Sequence, residues 1–190
     1  MELPTAVPIS ASRAEDAEPP LDGCANLVRA ARAGDRTAFA ELYRRHARMV
    51  HGVVLARVPY SDADDLVQDV FLTALRRLDA LRDPAAFPGW LAAIARNRAT
   101  DHLRHQPRDA PLTEADGMAG EDRSAALAVI AVIRGLPETY QETLVLRLVE
   151  GMTGPEIAAR TGLTHGSVRV NLHRGMKLLR AALEGGSHGV

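Results

Sequence analysis

Apolar residues recur along this chain at three- and four-residue steps, the spacing of one buried helical face. Phe39, Leu42, Tyr43, Val50, Val53 and Val54 predict a helix that ends before Pro59. Leu66, Val67, Val70, Phe71, Ala74, Leu75 and Leu78 predict a second, with Ser61 and Asp64 spaced as a near capping box at its start. A third begins near Pro88 and runs through Trp90, Leu91, Ile94 and Leu103 to about His105. Residues 106–122 break the pattern with two prolines, two glycines and an acidic excess, and read as a linker. Periodicity resumes at Leu127, Ile130, Val132, Ile133 and Leu136, stops at Pro137, and resumes in TYQETLVLRLVEG up to Gly151. No stretch alternates with period two for long enough to predict a strand.

The next segment carries the sharpest local signals. Thr153 and Glu156 form a capping box, Pro155 suits a first turn, and the helix should cover 154–161. Gly162 then supplies a left-handed turn, and Thr164 caps a helix running to about Leu183. Two short-linked helices of this kind are a helix-turn-helix. The expected fold is therefore all-α: two small helical domains joined by a flexible linker, the second holding the helix-turn-helix. Residues 1–24 read as a disordered tail, 25–106 as the first domain, 107–123 as the linker, 124–184 as the second domain and 185–190 as a tail.

Composition narrows the class. The 190 residues carry a formal charge of -1, 46% of them hydrophobic and 25% charged. The single cysteine, Cys24, excludes an internal disulfide framework and a cysteine-based zinc site. There is no apolar run of membrane-spanning length and no secretory leader in MELPTAVPISASRAEDAEPP, so a cytoplasmic protein without a membrane partner is expected. The near-zero total hides segregation. Residues 27–106 hold 13 arginines against 9 acids, whereas residues 1–26 hold one against five.

Between Glu156 and Glu184 there is no acidic residue, yet Arg160, Arg169, Arg174, Lys177 and Arg180 fall there. Val168, Leu172, Gly175 and Leu179 make the inner stripe of the last helix. Thr164, His165, Ser167, Arg169, Asn171, His173, Arg174 and Lys177 are left outside, where Arg can bond guanine and Asn adenine. A merely solvated basic face is the alternative, but exposed helices usually mix signs. ARNRATDHLRHQPR forms a second basic patch with Phe87 and Trp90 just upstream. Those aromatics suit either the core or a place where a base stacks, and core packing is the simpler role for Trp90. His102 and His105 lack a third ligand nearby, so no metal site is expected. In SDADDLVQDVFLTALRR, Asp62, Asp65, Gln68, Asp69 and Leu72 face outward. The first-turn acids suit the helix dipole, and the acidic face, repelled by DNA, also suits protein docking. No phosphate loop, nucleophile elbow or metal constellation appears, so neither an enzyme nor a cofactor is expected.

DADDLVQDVFLTAL, then FPGWLAAIARNRATDHLR, then LPETYQETLVLRLVEGMTGPEIAARTGLTHGSVRVNLHRGMKLLR together resemble the extracytoplasmic-function (ECF) sigma factors. The resemblance spans about residues 25–106 and 124–184. It implies that 62–78 docks on the β′ clamp helices of core RNA polymerase through Asp62, Asp65, Gln68, Asp69 and Leu72. It implies that 87–105 reads and melts the minus-ten element of promoter DNA through Trp90, Asn97, Arg98, Asp101, Arg104 and His105, with the loop 81–86 capturing a flipped base. The helix from Thr164 would read the minus-thirty-five element, the linker would thread toward the RNA exit path, and the β flap and an anti-sigma factor would be further partners. Val170 and Asn171 depart from the common family pattern, as does Ala92, so promoter sequence preference does not carry over. No appended C-terminal sensing domain is expected. The rival is a free-standing helix-turn-helix regulator that binds operators without polymerase.

Overall fold

The computed structural model describes residues 22–105 and 121–186. Helix α1, Asp22–Arg32, turns at Gly34 (φ 93°) into α2, Arg36–Leu55, whose N-terminal amides Thr37 and Ala38 donate to the Asp35 carboxylate at 2.8 and 3.1 Å. Helix α3, Tyr60–Arg77, starts after Pro59, which fixes the backbone for the first turn. Ser61 lies inside that turn and donates to Asp62 at 2.8 Å, so it is not the cap that its spacing to Asp64 suggests. Two 3-10 turns, Leu78–Ala80 and Pro84–Ala86, lead to α4, Phe87–His105. Arg32 of α1 donates to the carbonyls of Leu78 and Leu81, which pins the first of these turns. Helices α1 to α4 pack around Leu42, Met49, Val50, Val53, Val70, Phe87 and Leu91, all 3% exposed or less. Burying each such side chain contributes about 1.5–3 kcal/mol.

The second region comprises α5, Glu121–Arg134; α6, Glu138–Leu148; α7, Gly154–Thr161; and α8, His165–Gly186. Helix α5 thus takes in the end of the segment expected as linker; the rest of it, 107–120, lies outside the described residues. The capping box at the start of α7 is present: Glu156 N donates to Thr153 Oγ1 and Thr153 N to Glu156 Oε2. Gly162 follows at φ +77°, a conformation that side chains resist. Helix α8 then crosses α6 at Gly175, where an added Cβ would stand 3.1 Å from both Leu144 and Tyr140. Ile133, Leu144, Ile157, Val168 and Leu179 close this core.

The regions do not stand apart. Helix α2 lies against α6 and α4 against α7, and one continuous apolar cluster runs through both. A Cβ on Gly52 would meet Leu146 Cδ2 at 2.6 Å, so the absence of a side chain there lets α2 and α6 approach. Gly89 and Gly162 face each other across the α4–α7 contact, a Cβ on the first lying 3.5 Å from the Cα of the second.

Candidate nucleic-acid interface and docking face

Thr164 caps α8 by accepting from the Ser167 amide at 3.1 Å, and the two hydroxyls bond each other at 2.8 Å. With Val168, Gly175 and Leu179 buried, His165, Ser167, Arg169, His173, Arg174 and Lys177 are exposed along α8, and Asn171 is half-buried beside them. The expected outward set is therefore outward. Val170 joins it at 41% exposure. Its position off the Val168–Leu172–Gly175–Leu179 stripe was the signal for that, and an exposed aliphatic group can meet a thymine methyl.

The other basic patch is less uniform. Asn97, Asp101, Arg104 and His105 are exposed at the C-terminal half of α4, Asp101 and Arg104 lying 3.8 Å apart. Arg98 is half-buried and donates to Thr73 Oγ1 at 2.8 Å, which ties α4 to α3. A groove between those helices is lined by Thr73, Arg77, Asn97, Arg98, Asp101 and Arg104. Trp90 is half-buried against the core with its ring 6.0 Å from that of Phe87, which agrees with the core role. Arg96 turns toward the second region, donating to Glu142.

On α3, Asp65, Gln68, Asp69 and Leu72 share an exposed face, continued by Leu75 one turn beyond Leu72. Leu72 and Leu75 are 49% and 46% exposed, an apolar end to an acidic face. Asp62 differs from the others: it accepts from His102 Nε2 at 2.8 Å and so links the start of α3 to the end of α4. Cys24 is buried with Sγ 3.7 Å from His46 Nε2, and burial pushes its thiol pKa up, away from thiolate chemistry. Among the described residues no group of three His, Cys, Asp or Glu could hold a metal ion, and no helix is long and apolar enough to cross a membrane.

A helix-turn-helix whose last helix carries no acid from His165 to Leu183, joined to a four-helix region with its own basic patch and an acidic-apolar helix, defines a two-region helical DNA-binding protein. Residues 42–108 match the family described as Sigma-70 region 2, and residues 126–179 match Sigma-70, region 4. The RNA polymerase sigma factor CarQ of Myxococcus xanthus is 35% identical over 162 residues, covering 80% of this chain and 92% of that protein. The ECF RNA polymerase sigma-E factor of Escherichia coli K12 is 32% identical over 167 residues, 78% and 87% of the two chains. The solved structure of CnrH in complex with the cytosolic domain of CnrY superposes with a TM-score of 0.63 at 29% identity, covering 86% of this chain and 99% of CnrH. The chain belongs to the ECF sigma factors. It is a non-catalytic factor that binds RNA polymerase and directs promoter recognition.

Proposed function

We propose that the chain divides its work among three surfaces. Helix α3 docks on the β′ clamp helices of core polymerase through Asp65, Gln68, Asp69 and Leu72, with Leu75 extending the contact. Helix α4 meets the minus-ten element through Asn97, Asp101, Arg104 and His105, while Arg98 and Trp90 position that helix from its base. Helix α8 enters the major groove of the minus-thirty-five element through Arg169, Asn171, His173, Arg174 and Lys177, and the second region rests on the β flap. The observation that carries this reading is the segregation of charge: exposed acids with leucines on α3, exposed cations on α8 with no acid before Glu184. Phosphates repel the first face and attract the second.

The solved CnrH is in complex with the cytosolic domain of CnrY, and a protein partner, an anti-sigma factor, is accordingly part of the reading for this chain. A cytoplasmic location follows from the polymerase partner.

The test is binding of the labelled full chain to core polymerase, with unlabelled housekeeping sigma as competitor. Tight, competable binding is the expected result; a folded chain that binds operator DNA but not polymerase would instead support a free-standing regulator. Asp65→Arg should weaken polymerase binding by about tenfold or more while leaving the helical content unchanged. Arg174→Ala should weaken promoter binding by the holoenzyme about 5- to 150-fold, the equivalent of about 1–3 kcal/mol per base contact, and leave polymerase affinity unaltered. Equal losses of one activity in both variants would overturn the assignment of faces.

A further inference from the structure

Between His165 and Lys177 the exposed side chains of α8 are polar or charged, with one exception. Val170 is 41% exposed and stands between Arg169 and Asn171 in sequence. At about 100° per residue, the buried Val168, Gly175 and Leu179 and the half-buried Leu172 lie about 140–180° round the helix from it. Gly166, His173, Arg174 and Lys177 fall within about 60° of it. Val170 is thus at the middle of the outward face, not at an edge where an aliphatic group extends the core. It is also outside the apolar cluster that Leu163, Leu172 and Met176 join. Leu178, 39% exposed, is about two turns farther on, beyond the N-terminal part of a recognition helix that meets base edges.

The surroundings of Val170 suit a close approach. Gly166, one turn earlier, shares its face. Beyond chain neighbours and its own helix backbone, a Cβ there would meet only Thr164 Oγ1, at 3.9 Å. Packing within the chain therefore does not call for glycine at this position. Its effect is felt outside, where the backbone is bare to an incoming base edge. The Ser167 hydroxyl is held 2.8 Å from that of Thr164, which also accepts from the Ser167 amide at 3.1 Å. The hydroxyls of the first turn are occupied in capping.

The chemistry of the side chain selects its ligand. A valine isopropyl group neither donates nor accepts a hydrogen bond, and in a helix its χ1 is nearly fixed. Of the bases, only thymine presents an apolar group in the major groove, its 5-methyl. Opposite cytosine or guanine, the same side chain would strip water from an amino group or a carbonyl without replacing the lost hydrogen bond. Arg169 and Arg174 can at the same time bond neighbouring guanines or phosphates.

We propose that Val170 is a specificity-determining residue: it seats the 5-methyl group of one thymine in the minus-thirty-five element, and Gly166 lets that base edge approach. Such seating rests on the entry of α8 into the major groove there.

The test uses holoenzyme formed from the full chain and core polymerase. A preferred minus-thirty-five sequence is selected by it from a randomised duplex. Each thymine is then replaced singly by deoxyuridine, which lacks only the methyl group. At one position the replacement should weaken binding about three- to fivefold, the fold equivalent of one buried methyl group. Val170→Ala, which favours the helix at least as well, should bind the thymine duplex as weakly as the parent binds its uracil form. It should barely distinguish the two duplexes. No sensitive thymine, or a preference for thymine that survives in Val170→Ala, would overturn the assignment of Val170. Arg174→Ala separates that failure from a failure of the α8 reading. If Arg174→Ala still weakens promoter binding, α8 enters the groove and only the valine contact falls. If neither variant changes promoter binding, the α8 reading falls and the thymine contact with it.

Discussion

Acidification from pH 7 to pH 4 should cost the folded chain about 3 kcal/mol through His46 alone. His46 is 3% exposed, with Nε2 beside the Cys24 sulfur, its ring 5.5 Å from that of Phe87, and Nδ1 without a hydrogen-bond partner. Burial, and secondarily the charge of Arg45, lower its pKa from 6.5 to about 4. Above pH 6.5 the ring is neutral in both the folded and unfolded chain, and His46 contributes no pH dependence. Below that value the unfolded chain takes up a proton that the fold refuses. The penalty therefore grows until about pH 4 and then levels off. His51, five residues along the same helix, has the opposite sign. The hydrogen bond to Glu150 raises its pKa against the effect of burial, and the charges of Glu150 and Asp64 add to the rise. Its contribution is present below pH 6.5 and is lost as the pH climbs through the raised value. Acid should thus loosen the core of the first region while tightening the contact between α2 and the turn after α6. Urea titrations of the parent and His46→Leu at pH 7 and pH 4.5 separate the two. The parent should lose about 2–3 kcal/mol more than the variant between those conditions, and equal losses would mean that His46 is not held neutral.

The elements legible in the sequence are those whose signal is local. The spacing of Leu66, Val67, Val70, Phe71 and Ala74 requires one buried face, and those residues are buried. The Thr153–Glu156 box and Gly162 fix a start and a stop by hydrogen bonding and backbone angle, so α7 agrees with its expected span, 154–161. Helix α1 gives little such signal. Its inner face is Cys24, Val28 and Ala31, too small and too few to stand out after an acidic, proline-bearing segment.

The packing of one region on the other was not legible at all. Arg57 and Glu142 are 85 positions apart, and an ion pair leaves no periodicity in either partner's neighbourhood. Arg96 shows the consequence most clearly. From sequence it belongs with the cations of ARNRATDHLR, whereas in the fold it is the one turned inward to Glu142. The same holds for Asp62, which sequence groups with Asp65 and Asp69 and the fold assigns to His102. Where a charged side chain points depends on what stands opposite, and only the assembled helices supply that.

Phe87→Ala should lower the stability of the first region by about 3–5 kcal/mol, a large part of what a region of this size can hold. Phe87 opens α4 and is fully buried, its ring 5.5 Å from that of His46 and 6.0 Å from that of Trp90. Truncation leaves a cavity where α2 and α4 meet, and neighbouring helices fixed by Arg32 and Arg98 have little freedom to collapse into it. Phe87→Leu should cost less than about 1.5 kcal/mol, since most of the volume is kept. The chain's single tryptophan makes the local effect visible: Trp90 loses a neighbour in the alanine variant, and its emission should shift to the red before global unfolding begins. Asn97, Arg104 and His105 lie two or more turns farther along α4. Any loss of promoter binding in this variant should therefore follow its stability and recover on cooling, unlike the loss in Arg174→Ala, which removes a proposed contact and should persist at every temperature where the chain is folded.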